Sequence, residues 1–178
     1  MSPSGPPSKA ISISLFDEMH EASVMHLLFD CCGSRMWVRN MIEHRPYVTL
    51  ERLLQEADVV WNALRPDDWL EAFRAHPRIG EARAVGQSVV SARMSEAEQA
   101  AFAESNAAER AEFAQLNAMY EERFSHIFII CASGLSAVEV EARLRARLTN
   151  APEQELRVAA EEQRSITRLR LESALEDG

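Results

Sequence analysis

Apolar residues recur at spacings of three and four along most of the chain, and this periodicity limits its possible folds more than any other feature. Residues 50–64 show it well, with leucine, alanine, valine and tryptophan at these intervals. Such spacing places the apolar side chains on one face of an α-helix. No stretch of several residues alternates strictly between apolar and polar side chains, and the 178 residues include only six glycines. The pattern predicts an all-α fold, a single-domain helical bundle of about seven or eight helices.

Prolines and capping residues set the limits of the predicted helices. We expect helices over about residues 16–30, 34–43, 50–64, 66–75, 95–123, 136–148 and 152–175. Residues 127–131 read Ile-Phe-Ile-Ile-Cys, a composition that also suits a buried strand. Because no second strand is predicted to pair with it, we expect a buried helix or an extended turn. The start of the chain is rich in Ser, Pro and Gly, so residues 1–13 are predicted as a flexible arm before a helical domain of residues 14–178.

Charge and cysteine content exclude several classes of function. The net charge is −9, and arginines alternate with acids, so the chain lacks the basic face that nucleic acids or anionic membranes require. An anionic metabolite would need a local positive site. The three cysteines fit neither a disulfide framework nor a metal motif. No apolar run approaches bilayer length, and no targeting signal is recognised, so a cytoplasmic location is expected.

Two short segments are candidates for chemistry. His76 precedes Pro77, which moves residue 76 out of helical geometry and holds it at a rigid corner. A histidine there can project into a cleft, or its charged form can simply cap the helix end. The sequence Ser-Glu-Ala-Glu-Gln over residues 95–99 can place Glu98 at the start of a helix that faces His76. The same residues can instead form a capping box between Ser95 and Glu98.

Other sites are less well supported. The remaining histidines lack metal-ligand spacing, so no metal site is predicted, and no nucleotide-binding or serine-hydrolase motif is present. Cys131 could be a nucleophile, but its apolar surroundings favour a buried structural thiol.

Four segments resemble the 2-oxo-4-hydroxy-4-carboxy-5-ureidoimidazoline (OHCU) decarboxylase family. They are residues 75–80 (Ala-His-Pro-Arg-Ile-Gly), 95–99, 120–132 and 143–166. The likeness covers nearly everything after about residue 14, and the His-Pro corner together with the downstream Ser-x-x-Glu-Gln is its most specific part.

This resemblance implies an all-helical fold, no cofactor and a homodimer. It implies a small-molecule substrate, the ureidoimidazoline made from uric acid by oxidation and hydrolysis, which loses CO2 to give (S)-allantoin. It also implies catalytic roles for two residues and substrate contacts for seven. The catalytic pair is His76 and Glu98, and the substrate-binding residues are Pro77, Ser95, Gln99, Ile129, Ile130, Cys131 and Ala132.

The chain departs from the family pattern at two places. Members often read Phe-Gly-Phe where this chain has Phe-Ser-His at residues 124–126, and many carry a basic residue where it has Ser-Gly-Leu at 133–135. Arg45, Arg78 or Arg83 could supply the missing charge. Two alternatives remain open: an enzyme acting on a related ureide or hydantoin acid, and a helical binding module without catalysis. The second predicts that His76 and Glu98 point to separate regions or that both are buried in structural bonds.

Overall fold

A computed structural model of the protein describes residues 10–77 and 107–178. Within these residues the chain forms eight α-helices and one two-stranded sheet, which confirms the predicted all-α bundle. The helices are α1 (Ile13–Glu18), α2 (Glu21–Cys31), α3 (Arg35–Glu43), α4 (Leu50–Ala63), α5 (Pro66–Arg74), α6 (Ala107–Phe124), α7 (Ala137–Arg147) and α8 (Pro152–Ala174).

Hydroxyl side chains cap the start of four of these helices. The side chains of Ser12, Ser34, Thr49 and Ser136 each accept a backbone N–H from the first turn of the helix that follows. Such caps satisfy donors that have no partner inside the helix. The predicted starts of α3, α4 and α7 are therefore correct to within about a residue, as helix limits allow.

The helix predicted over residues 16–30 is instead two helices. α1 ends at Glu18, and Met19 takes an extended backbone conformation. The Nδ1 atom of His20 then accepts the backbone N–H of Ala22 and caps α2. Neither glycine nor proline marks this break in the sequence, so periodicity alone could not locate it.

The predicted arm extends too far along the chain. Ile11–Ser12 forms strand β1, which pairs in parallel with Leu175–Glu176 (β2) after the last helix. The next residue, Ile13, is only 1% exposed because it packs in the core. Residues 1–9 lie outside the described residues, so for them the arm stays a prediction.

α8 is the central helix of the bundle. It packs against α2, α4, α5 and α6 and, at about 1.5 Å per residue, is long enough to contact all four. Its buried face carries polar as well as apolar side chains. The buried polar residues are Glu155, Gln163, Thr167 and Arg170.

Residues 127–132 run in extended form between two apolar clusters. The first cluster holds Ile129 with side chains of α2 to α5 and α8, and the second holds Phe128, Ile130 and Ala132 with α6 and α7. Successive side chains of an extended segment point to opposite sides, so one segment serves both clusters. A buried helix is excluded at this position, and the alternation of side chains between the two clusters is that of an extended chain.

Candidate active site

His76 lies at the corner where α5 ends. α5 ends at Arg74, and the backbone N–H of His76 donates to the carbonyl of Phe73 at 3.1 Å. Pro77 follows and cannot continue the helix. The residue is half-buried, and its Nε2 atom is fully buried with no hydrogen-bond partner among the described residues. The backbone thus fixes a histidine whose ring is directed into the protein.

Burial keeps the imidazole of His76 uncharged. Its pKa is lowered from 6.5 to about 3, mainly by loss of solvent; the positive charge of Arg170 acts in the same direction and the Gln163 side chain in the opposite one. A charged histidine capping α5 is therefore the wrong interpretation. At neutral pH a neutral imidazole can accept a proton or a hydrogen bond.

Two contacts, one to the first residue of α3 and one to the loop before it, hold the corner in place. The carboxylate of Glu71 on α5 accepts the backbone N–H of Arg35 at 3.0 Å and also its guanidinium N–H. Beside it, Gly33 passes so close to Ala75 that a Cβ at residue 33 would lie 2.2 Å from the Ala75 Cβ. The position of His76 therefore depends on a loop more than 40 residues earlier in the chain.

Side chains from α7 and α8 fix the backbone of the extended segment. Arg147 donates to the carbonyl of Ile129 at 2.7 Å, and the Glu162 carboxylate accepts the backbone N–H of Cys131 at 2.8 Å. Ile129, Ile130 and Ala132 are buried, and Cys131 is half-buried. The peptide groups of this segment, more than its side chains, are therefore set in a defined orientation.

Arg147 belongs to a buried ionic network that reasoning from the sequence did not predict. Its guanidinium pairs with the fully buried carboxylate of Glu155 at 2.6 Å, and that carboxylate also accepts from Tyr120 and from Asn150. The guanidinium also lies 4.6 Å from the Phe128 ring centroid. The only sequence signal was a charged residue on the apolar side of each of two helices, which is rare unless the charges are paired.

α8 brings the corner and the extended segment to the same place. His76 interacts with Gln163, and the preceding residue, Glu162, holds the N–H of Cys131. Two consecutive residues of α8 thus contact the His76 corner and the extended segment, both of which are predicted parts of the site. Ser95, Glu98 and Gln99 lie outside the described residues, so their predicted roles, and the pairing of Glu98 with His76, remain predictions.

One proposed source of positive charge is already engaged. The guanidinium of Arg45 donates to the carbonyls of Phe16, Asp17 and Met19 at the end of α1, so it serves the fold. Arg78 and Arg83 lie outside the described residues. The cation that the structure brings close to His76 is Arg170, which the sequence did not single out.

Neither a cluster of metal ligands nor a membrane-spanning helix is found among the residues that the structure describes. Across 10–77 and 107–178, no three His, Cys, Asp or Glu side chains are grouped as metal ligands. Nor does any helix in these two ranges have the length and apolar character to cross a membrane.

Comparison with known sequences gives a consistent result. The OHCU decarboxylase family model matches residues 17–172. The uric acid degradation bifunctional protein TTL of Arabidopsis thaliana is 39% identical over 148 residues, covering 83% of this chain and 46% of that protein. The 2-oxo-4-hydroxy-4-carboxy-5-ureidoimidazoline decarboxylase of Amia calva is 42% identical over 57 residues, 32% of this chain and 33% of that protein. The matches thus span less than half the length of these curated relatives.

Two solved structures resemble this one. A crystal structure of OHCU decarboxylase in the presence of (S)-allantoin has a TM-score of 0.70 and 34% identity, and the match covers 86% of this chain and 96% of that one. A crystal structure of (S)-allantoin synthase also has a TM-score of 0.70, but at 20% identity it shows the fold alone, over 93% of this chain and 54% of that one. Because the family model spans most of the chain and the TTL protein is 39% identical, this chain belongs to the OHCU decarboxylase family.

Proposed function

We propose that this protein is a cofactor-free carboxy-lyase of uric acid degradation that converts 2-oxo-4-hydroxy-4-carboxy-5-ureidoimidazoline to (S)-allantoin and CO2. Membership of the family supports this substrate class. The observation that carries the proposal is the neutral imidazole of His76, fixed at a proline corner and buried beside α8.

The substrate makes decarboxylation without a cofactor chemically reasonable. Its carboxylate and hydroxyl share one ring carbon, and the neighbouring C=N bond can accept the electron pair that departing CO2 leaves behind. The protein then has three tasks: to hold the carboxylate out of the ring plane, to stabilise developing charge, and to deliver one proton to one face of the ring.

His76 is proposed to act on the substrate hydroxyl. As a neutral base it accepts a hydrogen bond or the proton from this hydroxyl while CO2 leaves. Glu98 is proposed to orient His76 or to bind the ureido N–H groups, and one of the two residues returns the proton that sets the S configuration. Arg170 adds positive potential beside the imidazole, which favours an anionic substrate despite the net charge of −9.

The other predicted contacts complete the proposed pocket. Pro77 fixes the wall next to His76, and Ser95 and Gln99 are proposed to bind the ring amides together with the backbone of residues 129–132. The hydrogen bonds from Arg147 and to Glu162 support this role for the extended segment, because they orient its peptide groups in advance.

A coupled assay tests the function directly. The substrate is generated from urate by the oxidase and hydrolase that precede this step, and (S)-allantoin is followed by circular dichroism. Spontaneous loss of CO2 delivers the proton to either face and gives no net signal, so a growing signal on adding this protein is expected. Absence of any increase would refute the proposed activity, and a related ureide acid tested in parallel would reveal a shifted substrate.

Replacement of His76 tests its role. His76→Gln should lower kcat/KM by roughly 10²–10⁴-fold, the usual contribution of positioned acid–base catalysis. Far-UV circular dichroism and the unfolding midpoint at neutral pH should change little, since glutamine is also neutral. Glu98→Ala should lose activity to a similar extent. Near-normal conversion by His76→Gln would remove His76 from the mechanism.

A homodimer in the cytoplasm is also proposed. The described surface that supports self-association is a groove of about 900 Å³ between α2 and α3, in which Met25 and Phe29 are 46% and 41% exposed. Burying such apolar side chains stabilises a dimer. Sedimentation velocity should therefore show a dimer for the wild type and a monomer for Phe29→Glu. A monomeric wild type at micromolar concentration would contradict this proposal.

A further inference from the structure

Two buried polar atoms that lack hydrogen bonds belong to neighbouring side chains. Within the described part of the chain, Nε2 of His76 and Oε1 of Gln163 are buried without a partner of normal geometry. Gln163 itself is completely buried, and its side chain interacts with the imidazole of His76. A buried polar atom without a hydrogen bond costs free energy. A hydrogen bond from Nε2 of His76 to Oε1 of Gln163 would remove this cost for both atoms.

Thr167 determines which end of the Gln163 amide faces His76. Nε2 of Gln163 donates to the Thr167 hydroxyl oxygen at 3.2 Å. The same hydroxyl lies beside the Cys32 thiol, whose pKa burial raises to about 12 while the Thr167 contact acts in the opposite direction. A hydroxyl oxygen has two lone pairs, so it can accept from the Gln163 amide whichever neighbour receives its single hydrogen. This leaves Oε1 of Gln163 as the atom available to the histidine.

We propose that Gln163 is a positioning residue for His76: its Oε1 accepts the Nε2–H of the imidazole, so that Nδ1 remains unprotonated and available to the substrate. The inference deepens the proposed function and rests on it for its catalytic meaning. Hydrogen bonds in unliganded active sites are often long and shorten when the ligand binds, which accounts for the open geometry here.

The surroundings explain why a neutral acceptor occupies this position. The charged group that faces the imidazole from the described residues is Arg170, and it disfavours the imidazolium form. A glutamine oxygen can fix the tautomer of a neutral ring without stabilising a positive charge on it, whereas a carboxylate would do both. Gln163 would therefore hold His76 in the form of a base.

NMR of the ¹⁵N-labelled protein tests the tautomer without any assay of activity. His76→Gln identifies the His76 resonances by their loss, and spectra are recorded alone and with added (S)-allantoin. The wild type should show a protonated Nε2 and an unprotonated Nδ1 in both. The opposite tautomer would mean that Gln163 presents its NH2 group to the ring, and it would overturn the proposal.

Variants of Gln163 test the effect on the reaction. Gln163→Met keeps the volume but removes the acceptor, and kcat should fall about 10- to 100-fold, a part of the acid–base contribution, with little change in KM. Gln163→Glu retains an acceptor, so it should keep the Nε2–H tautomer and more of kcat, while raising the pKa of His76. If Gln163 had only a structural role, its replacement would not change the tautomer of His76, the pKa of His76 and kcat together.

Two further variants complete the test. Thr167→Val frees the Gln163 amide to rotate and should populate both tautomers with a smaller loss of kcat. Gln55→Met makes the same change as Gln163→Met on the exposed side of α4 and should behave as wild type. If wild-type protein is active but Gln163→Met keeps both its tautomer and kcat, this proposal fails alone. If wild-type protein forms no (S)-allantoin, the proposed function fails, and the tautomer still decides the structural claim.

Discussion

Gly33 lies where the chain passes too close to the end of α5 for any side chain. The constraint is proximity, because a Cβ there would be only 2.2 Å from the Ala75 Cβ. The Ala75 Cβ is bonded directly to the backbone just after α5, so it cannot rotate away. Since His76 is the next residue after Ala75, the clash would move the proposed catalytic corner.

Gly33→Ala should therefore lower the free energy of unfolding by about 1–3 kcal/mol, as overpacking does, and should also reduce kcat/KM. Urea denaturation and the coupled assay measure the two effects. The double variant Gly33→Ala with Ala75→Gly removes the clashing Cβ and should recover most of both. If the double variant is no better than the single one, another contact makes residue 33 a glycine.

Ser125 ends α6 in a backbone conformation that favours glycine. Its φ is +61°, and its N–H donates to the carbonyl of Glu121, the usual arrangement after a helix end. Ser125→Gly should raise the free energy of unfolding by up to about 1 kcal/mol, because a Cβ in this region is strained.

A matched control separates strain from the general effect of glycine. Ser23 is exposed within α2, so Ser23→Gly should lower stability by roughly 0.5–1 kcal/mol through helix propensity. In urea denaturation, the free energy of unfolding should rise for Ser125→Gly and fall for Ser23→Gly. A loss of stability at both positions would argue against strain at Ser125.

At the scale of elements, the extended segment depends on a buried ion pair between α7 and α8. Arg147 holds the Ile129 carbonyl, and Glu155, which is 0% exposed, neutralises Arg147. No strand in residues 10–77 or 107–178 pairs with the segment, and these side chains supply hydrogen bonds that a sheet would otherwise provide. The geometry of residues 129–132, which are proposed to contact the substrate, therefore depends on two helices that follow them in sequence.

Arg147→Met should destabilise the protein by about 3–5 kcal/mol, because it leaves the Glu155 carboxylate buried and unpaired. The double variant Arg147→Met with Glu155→Leu should lose less, since it removes both charges. The measurement is the free energy of unfolding in urea for both variants and the wild type. Equal losses would show that the cost comes from packing or from the Ile129 contact instead of the unpaired charge.

At the scale of the whole molecule, the buried histidine links stability to pH. The pKa of His76 is about 3 in the folded state and near 6.5 when unfolded, so the unfolded state binds more protons between these values. The free energy of unfolding should therefore be highest above pH 6.5, where His76 is neutral in both states, and it should decline as the pH falls toward 3. The contribution of one such group approaches about 1.4 kcal/mol per pH unit.

His76→Gln isolates this contribution because glutamine does not titrate. Urea midpoints measured from pH 7 to pH 4 should fall less steeply for His76→Gln than for the wild type. His126, whose pKa is also lowered by burial, is present in both proteins and cancels in the comparison. Parallel curves would show that His76 is not buried as a neutral ring.

The sequence by itself determined the helical class, most helix limits and the corner that carries His76. These depend on information local to the chain: the spacing of apolar residues, hydroxyl caps such as Thr49, and prolines such as Pro77. It also marked residues 127–131 as unusual, although it could not decide between helix and extended chain. Local propensity is weak for such a short apolar segment.

Only the tertiary structure decided which distant side chains surround the site. Gln163 and Arg170 approach His76 because α8 packs against α5, and neither residue has a local pattern that differs from an ordinary helical position. The pairing of Arg147 with Glu155 across a helix break and the contact of Gly33 with Ala75 have the same origin. Burial turns these residues into determinants of charge and orientation, and burial is a property of the packed molecule alone.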